Sequence, residues 1–182
     1  MAHDELKETV VEQKRVFDGK IIHVDHWQVK MPDGRMALRE VARHIGASAV
    51  VPVDEEGKVT LVYQYRAAVG KVMLEIPAGK LDYAGEDRLE AAKRELQEET
   101  GLTAEKWTHL TDFISTPGFC DEKISIYLAQ GLSQGESRPD DDEFLYLCRM
   151  PLTQAVEKVM QGEIRDGKTT TALLMAARTL GI

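Results

Sequence analysis

Glu95, Glu98 and Glu99 stand at i, i+3 and i+4 in a stretch that reads as a helix. At about 100° per residue they fall within one arc roughly 100° wide. Carboxylates held side by side repel one another, and a cation bound among them removes that penalty. Clustered oxygen ligands suit a hard divalent ion such as Mg²⁺. The bland alternative is a solvated charged face, which is what most charge runs are. Leu89, Ala92 and Leu96 form the adjoining apolar stripe, so one face packs while the next gathers charge. A glycine loop at Ala78 and Gly79 precedes the helix, and Gly101 closes it.

The order of the parts favours the metal. Gly79 is followed by Glu86 and then by Arg94-Glu95-Leu96-x-Glu98-Glu99-x-Gly101-Leu102. This resembles the Nudix box: glycine, five residues, glutamate, seven residues, then Arg-Glu-hydrophobic-x-Glu-Glu-x-Gly-hydrophobic. One interval departs, because six residues rather than five separate Gly79 from Glu86. The extra residue falls in the 80–85 loop, where insertions are tolerated best. The resemblance implies that Glu95, Glu99 and the backbone carbonyl of Ala78 ligate divalent cations, Mg²⁺ with Mn²⁺ as the alternative. Glu98 is then a further ligand, or holds a ligand water and so takes part in catalysis. Arg94 is expected to pair with Glu90 or Glu98, four residues away on either side, and hold a carboxylate in place. Taken alone it reads as a surface salt bridge.

Three further stretches narrow the branch. Pro117 lies sixteen residues after Gly101, within Ser115-Thr116-Pro117-Gly118-Phe119. Alone, Pro117-Gly118 reads as an ordinary type II turn. With Gln64-Tyr65-Arg66 and Glu75-Ile76-Pro77-Ala78-Gly79, it resembles the ADP-ribose pyrophosphatases of the same family. Arg39 and Arg66 are the expected contacts to phosphate or terminal ribose, because a guanidinium binds phosphate with two hydrogen bonds. Thr116 and Pro117 join them as substrate contacts, and Glu75 accepts from a ribose hydroxyl or supports the metal site. Phe17, Trp27 and Tyr65 are candidates to clamp the adenine, or else core residues. His23, His26, His44 and His109 have no ligand spacing and read as structural.

Cleaving a phosphoanhydride also needs a base for the attacking water, and the base need not lie on the helix. Asp140-Asp141-Asp142-Glu143 is the best outside source, at the end of a polar loop and directly before a strand. In the branch that the chain resembles, an acidic loop here supplies a base and another ligand. By spacing to the following helix, Glu143 matches the ligand and Asp141 the base, although the family's base is usually glutamate. By itself the run is a solvated acidic loop.

Alternating and apolar runs predict strands at 7–17, 21–29, 37–43, 48–53, 59–65, 72–76, 107–115, 124–132 and 144–149. Helices are expected over the box, at 152–161 behind Pro151 and at 169–180 before Gly181. Mixed strands with helices laid over them make an α/β fold, and the resemblance implies a Nudix-type α/β/α sandwich with a mixed sheet. Residues 1–43 form an N-terminal antiparallel sheet and 44–182 the hydrolase domain. That first sheet is thin for a core of its own. In the family it is shared between two subunits, which implies a homodimer.

The net charge of −8 argues against general nucleic-acid binding. It does not exclude a small anionic substrate, since a bound metal reverses the local sign. No run reaches membrane-spanning length, residues 1–7 lack the apolar core of a signal peptide, and Cys120 and Cys148 have no metal or redox spacing. The expected location is the cytoplasm. The expected activity is Mg²⁺-dependent hydrolysis of ADP-ribose to AMP and ribose 5-phosphate. Hydrolysis of another nucleoside diphosphate derivative (a nucleotide sugar or a dinucleotide polyphosphate) and non-hydrolytic sensing of ADP-ribose are the alternatives.

Overall fold

The structure, a computed structural model, describes residues 3–137 and 144–182. The chain divides into two units, one made of 3–45 with 114–122, the other of 46–113 with 123–182.

In the first unit, β1 (Thr9–Asp18), β2 (His23–Lys30) and β3 (Met36–Arg43) form an antiparallel sheet in the order β1-β2-β3. Strand β2 buries Asp25 and Val29, and Asp25 accepts a hydrogen bond from Arg15. Strand β1 is exposed along its whole length, Val10, Val16 and Phe17 included. The 114–122 segment joins this unit through Ala42, whose N–H bonds the Phe119 carbonyl at 2.7 Å. The Thr116 carbonyl accepts from Phe119 at 3.2 Å and from Cys120 at 2.9 Å. Gly118 does not have the positive φ that a type II turn requires at that position, so the expected turn type is corrected.

The second unit holds two sheets. Strands β4 (Ala47–Pro52), β7 (Ala78–Lys80), β8 (Leu102–Ile114) and β9 (Lys123–Gln134) run in the order β7-β4-β9-β8, with β4 parallel to β9 and antiparallel to β7. Strands β5 (Lys58–Arg66), β6 (Lys71–Glu75) and β10 (Tyr146–Pro151) form an antiparallel sheet ordered β10-β5-β6. Helices α1 (Arg88–Thr100), α2 (Leu152–Met160) and α3 (Gly167–Leu180) complete it.

Every residue of β4 is buried, and the two-residue period of a strand sorts them between two cores. Ala49, Val51, Ile126 and Leu128 face a large core with Leu61, Leu152, Leu173 and Ala176. Val50 and Ala129 face the other way, against Ala92 and Leu96 of α1. Helix α1 therefore covers one face of the mixed sheet, while α3 and the second sheet cover the opposite face. This is the α/β/α sandwich that the resemblance implies. Among the described residues, no helix is long and apolar enough to cross a membrane.

Some boundaries differ. Strand β8 starts at Leu102 and β9 runs on to Gln134. Helix α3 begins at Gly167 because Asp166 caps it, accepting from Thr169 N–H at 2.9 Å. Of the strand expected at 59–65, only 59–62 is buried. Tyr65 and Phe17 are both exposed, so neither is a core residue.

Strands β8 and β9 are also tied by side chains. Asp112 accepts from Ser125 Oγ at 2.8 Å and from Lys123 Nζ at 3.1 Å, with His109 Nε2 at 3.1 Å. The Ser125 and Lys123 bonds, with His109 adding to them, hold the Asp112 carboxyl down to about 2, below its ordinary 3.8. A depressed folded-state value contributes stability above the unfolded value and loses it as the pH falls through the folded one. That window runs from about pH 4 to about pH 2. Asp112 is partly exposed, so solvent screening limits the gain to about 1 kcal/mol. Asp112→Asn should therefore lower the urea midpoint at neutral pH and flatten its fall across that window. Midpoints of variant and parent that run parallel there would remove Asp112 from this account.

Candidate active site

Helix α1 starts where Asp87 accepts from the N–H groups of Leu89 at 2.9 Å and Glu90 at 3.0 Å. It ends at Gly101, whose φ of 72° is the left-handed closure that glycine permits. With Ala92 and Leu96 fixed against the sheet, helical spacing carries Glu95 and Glu99 to β7. There they are buried at 6% and 4% exposure, which is rare for glutamate. Glu99 accepts from Ala78 N–H at 3.2 Å. The Glu95 carboxylate lies directly against Gly79. A Cβ at that position would sit 2.2 Å from its carboxyl carbon and from both oxygens. Glu98 is turned further toward solvent, beside a cavity of about 280 Å³ lined by Arg94, Gln97, Glu98 and Glu136.

Arg94 gathers these groups. Its Nη1 donates to Glu95 at 2.6 Å and to Glu98 at 3.0 Å, and its Nη2 to the Lys80 carbonyl at 3.4 Å. Its buried Nε stands 3.3 Å from Asp82 and 3.6 Å from Glu86, without a hydrogen bond among the described residues. Burial alone would weaken the guanidinium's hold on its proton, but Glu95 and the other carboxylates outweigh it and raise the pKa. Of the two expected partners, Glu98 pairs with Arg94, while Glu90 pairs with Lys93 at 2.8 Å. The extra residue before Glu86 is taken up in an exposed turn. Glu86 N–H bonds the Tyr83 carbonyl at 3.2 Å, and the Glu86 carboxylate accepts from Asp82 N–H at 2.7 Å.

Arg66 and Glu75, named separately as substrate contacts, are partners. Arg66 Nε and Nη2 donate to the two oxygens of Glu75 at 2.9 and 2.8 Å. Glu75 is buried at 1% exposure and also accepts from Lys168. Burial pushes the Glu75 carboxyl up, but Arg66 and Lys168 together hold it below its ordinary value. Pairing with Glu75 raises Arg66, and Glu99 adds to the same field. Sequence reasoning missed Lys168 and Asp166. The available signal was an aspartate three residues before Thr169, in N-cap position.

Ala78, Glu95, Glu98 and Glu99 are thus brought together, with Arg66 and Glu75 on the strands that lead to Ala78. Arg39, Thr116 and Pro117 belong to the first unit. There Arg39 donates to Glu8 from Nε at 3.1 Å and also from Nη2, and from Nη1 to the Leu38 carbonyl at 3.1 Å. Asp141 and Glu143 lie outside the described residues.

The donor set suits a hard divalent cation: carboxylates at Glu95, Glu98 and Glu99, a peptide oxygen at Ala78, and a glycine where a side chain would crowd Glu95. Among the described residues, no three His, Cys, Asp or Glu side chains already stand at metal-holding spacing. Here Arg94 supplies the counter-charge to Glu95 and Glu98.

The sequence model of the NUDIX domain matches residues 42–173, the box and its supporting sheets included. The chain belongs to the Nudix family. This Nudix hydrolase is 40% identical over 170 residues to an ADP-ribose pyrophosphatase of Bacillus subtilis, covering 92% of this chain and 91% of the relative. It is 39% identical over 169 residues to a methanol dehydrogenase activator of Bacillus methanolicus, at 92% and 91% coverage. A crystal structure of an ADP compounds hydrolase matches with a TM-score of 0.83 and 25% identity, over 96% of this chain and 95% of that one. Nudix hydrolases cleave pyrophosphate bonds and generally use divalent metal ions.

Proposed function

We propose that this Nudix hydrolase cleaves ADP-ribose at its pyrophosphate bond, releasing AMP and ribose 5-phosphate, with Mg²⁺ as its ion and Mn²⁺ as the alternative. The observation that carries the reading is the placement of Glu95 and Glu99 against Gly79 and Ala78 N–H. The 40% identical Bacillus subtilis relative, named for ADP-ribose, supports the choice of substrate.

Glu95, Glu98, Glu99 and the Ala78 carbonyl would hold the metal. When bound, it draws charge from the phosphate oxygens and lowers the pKa of a coordinated water. Arg94 keeps Glu95 and Glu98 aligned, and Glu98 orients the attacking water. That water forms one P–O bond as the bridging P–O bond breaks. Asp141 takes its proton, and Glu143 adds a further metal ligand. Arg66, set by Glu75, meets the phosphates, and Arg39, Thr116 and Pro117 supply the remaining substrate contacts.

A homodimer in the cytoplasm completes the proposal. Strand β1 supports the dimer: both its faces are uncovered, and edge strands of this kind pair with a second chain. Sedimentation of the protein as a monomer at micromolar concentration would remove that element. The two free cysteines, Cys120 and Cys148, are in keeping with a reducing compartment.

A substrate panel with product identification tests the function. ADP-ribose should give the highest kcat/KM, with AMP and ribose 5-phosphate as products. A higher value on a nucleotide sugar or a dinucleotide polyphosphate would reassign the substrate. Tight binding of ADP-ribose without turnover would make the protein a sensor.

A further inference from the structure

The first turn of α3 carries a polar cluster that hydrolysis does not itself require. Lys168, 8% exposed, donates to the Glu75 carboxylate and to Asp166 at 2.9 Å. Thr169, fully buried, donates from Oγ1 to Asp166 at 2.5 Å and accepts from Ile76 N–H at 3.0 Å. Arg66 holds Glu75 from the other side. Two buried charges and a buried hydroxyl are a poor way to stabilise a core, because desolvation offsets most of what their pairing contributes. What such a network does well is to fix one geometry.

The geometry fixed here is that of the chain entering the carboxylate site. Glu75 and Ile76 lie three and two residues before Ala78. Pro77 comes between and cannot donate a backbone hydrogen bond. Ile76 N–H and the Glu75 carboxylate are therefore the handles by which this segment is held from the α3 side. Downstream, Ala78 N–H binds Glu99 and Gly79 lies under Glu95. A shift of the segment moves the floor on which both carboxylates rest.

We propose that Asp166, Lys168 and Thr169 are positioning residues that hold the segment from Glu75 to Gly79 in register with α1, and so set the affinity of the carboxylate site for a divalent cation. This rests on the metal-binding reading of Glu95 and Glu99. Thr169 is the sharpest probe, because valine keeps its shape and removes only the hydroxyl, whereas serine keeps the hydroxyl. Groups that orient metal ligands typically change metal affinity by about tenfold to a hundredfold when removed.

The test is Mn²⁺ binding to the full chain without substrate, followed by electron paramagnetic resonance, alongside melting temperatures in chelator. Thr169→Val should weaken Mn²⁺ binding by about tenfold, while Thr169→Ser stays within about twofold of the parent. Lys168→Met should weaken it in the same direction, and it stands in should Thr169→Val fail to fold. A Thr169→Val protein that melts lower yet binds Mn²⁺ like the parent overturns the proposal and leaves the cluster a plain core contact. Equal weakening in the valine and serine variants overturns it as well. A parent protein that binds no Mn²⁺ overturns the metal reading itself, and this proposal with it.

Discussion

Replacing Glu99 with glutamine is expected to lower kcat by about a thousandfold at saturating divalent ion, or roughly 4 kcal/mol of transition-state stabilisation. Glutamine nearly matches the shape of glutamate, and its carbonyl can still accept the Ala78 N–H that Glu99 now holds at 3.2 Å. The fold should therefore survive. What disappears is a buried negative charge, and with it one hard anionic ligand and part of the field on Arg66. The comparison to make is kcat across a Mg²⁺ titration, with melting temperatures in chelator close to those of the parent. Unchanged turnover at saturating Mg²⁺ would sink the assignment of Glu99 to the metal.

The second large effect belongs to Gly79→Ala, the smallest substitution available at the site. Gly79 is not at positive φ, so alanine brings no backbone strain there. It brings one methyl group, placed 2.2 Å from the carboxyl carbon and both oxygens of Glu95. Those atoms are the far end of a flexible side chain, so the carboxylate swings aside more readily than the strand moves. The expected cost to folding is accordingly modest, about 1 kcal/mol, at the low end for overpacking. The cost to the chemistry is larger, because displacing a reacting group by about 1 Å typically loses about a hundredfold. Glu95 would also be pulled from Arg94 Nη1. Steady-state kinetics and urea unfolding on the same variant separate the two effects. Activity within about threefold of the parent would show that Glu95 need not rest on Gly79.

What could be read from the sequence was whatever repeats with the period of one element. The spacing of Glu95, Glu98 and Glu99 fixed their face of α1 because helical geometry is local, and the short apolar run at 48–53 marked β4 as a buried strand. What could not be read depended on elements distant in the chain. Arg66 and Glu75 were found one by one, yet they stand four positions apart in the register of β5 against β6, where Arg66 lies opposite Lys71 and Val62 opposite Glu75, and their side chains meet across that offset. Lys168 was invisible because its partner lies 93 residues away, and a lysine at a helix start ordinarily faces water. Strand β7 is three residues long with a glycine at its centre, so its composition reads as a loop. It is a strand only because β4 pairs with it. Phe17 and Tyr65 fail in the opposite sense: being aromatic suggested a core, and the cores of the described residues were filled by smaller aliphatic side chains.

The turn before Glu86 shows how unevenly this site tolerates a change in chain length. Residues 82–85 are all exposed. One more residue there costs only a few tenths of a kcal/mol in loop closure. The same single residue inserted after Glu95 would turn the rest of α1 by about 100°. Glu99 would turn away from Ala78 N–H, Glu98 would take the helical position that Glu99 now holds, and Leu96 would leave its core. Between Gly79 and Glu86 the chain acts as slack that drift in length can occupy, while from Arg94 to Gly101 it acts as a ruler. Insertions mapped along this segment by deep mutational scanning would therefore fall into a permissive zone and a forbidden one, with the border close to the Asp87 cap.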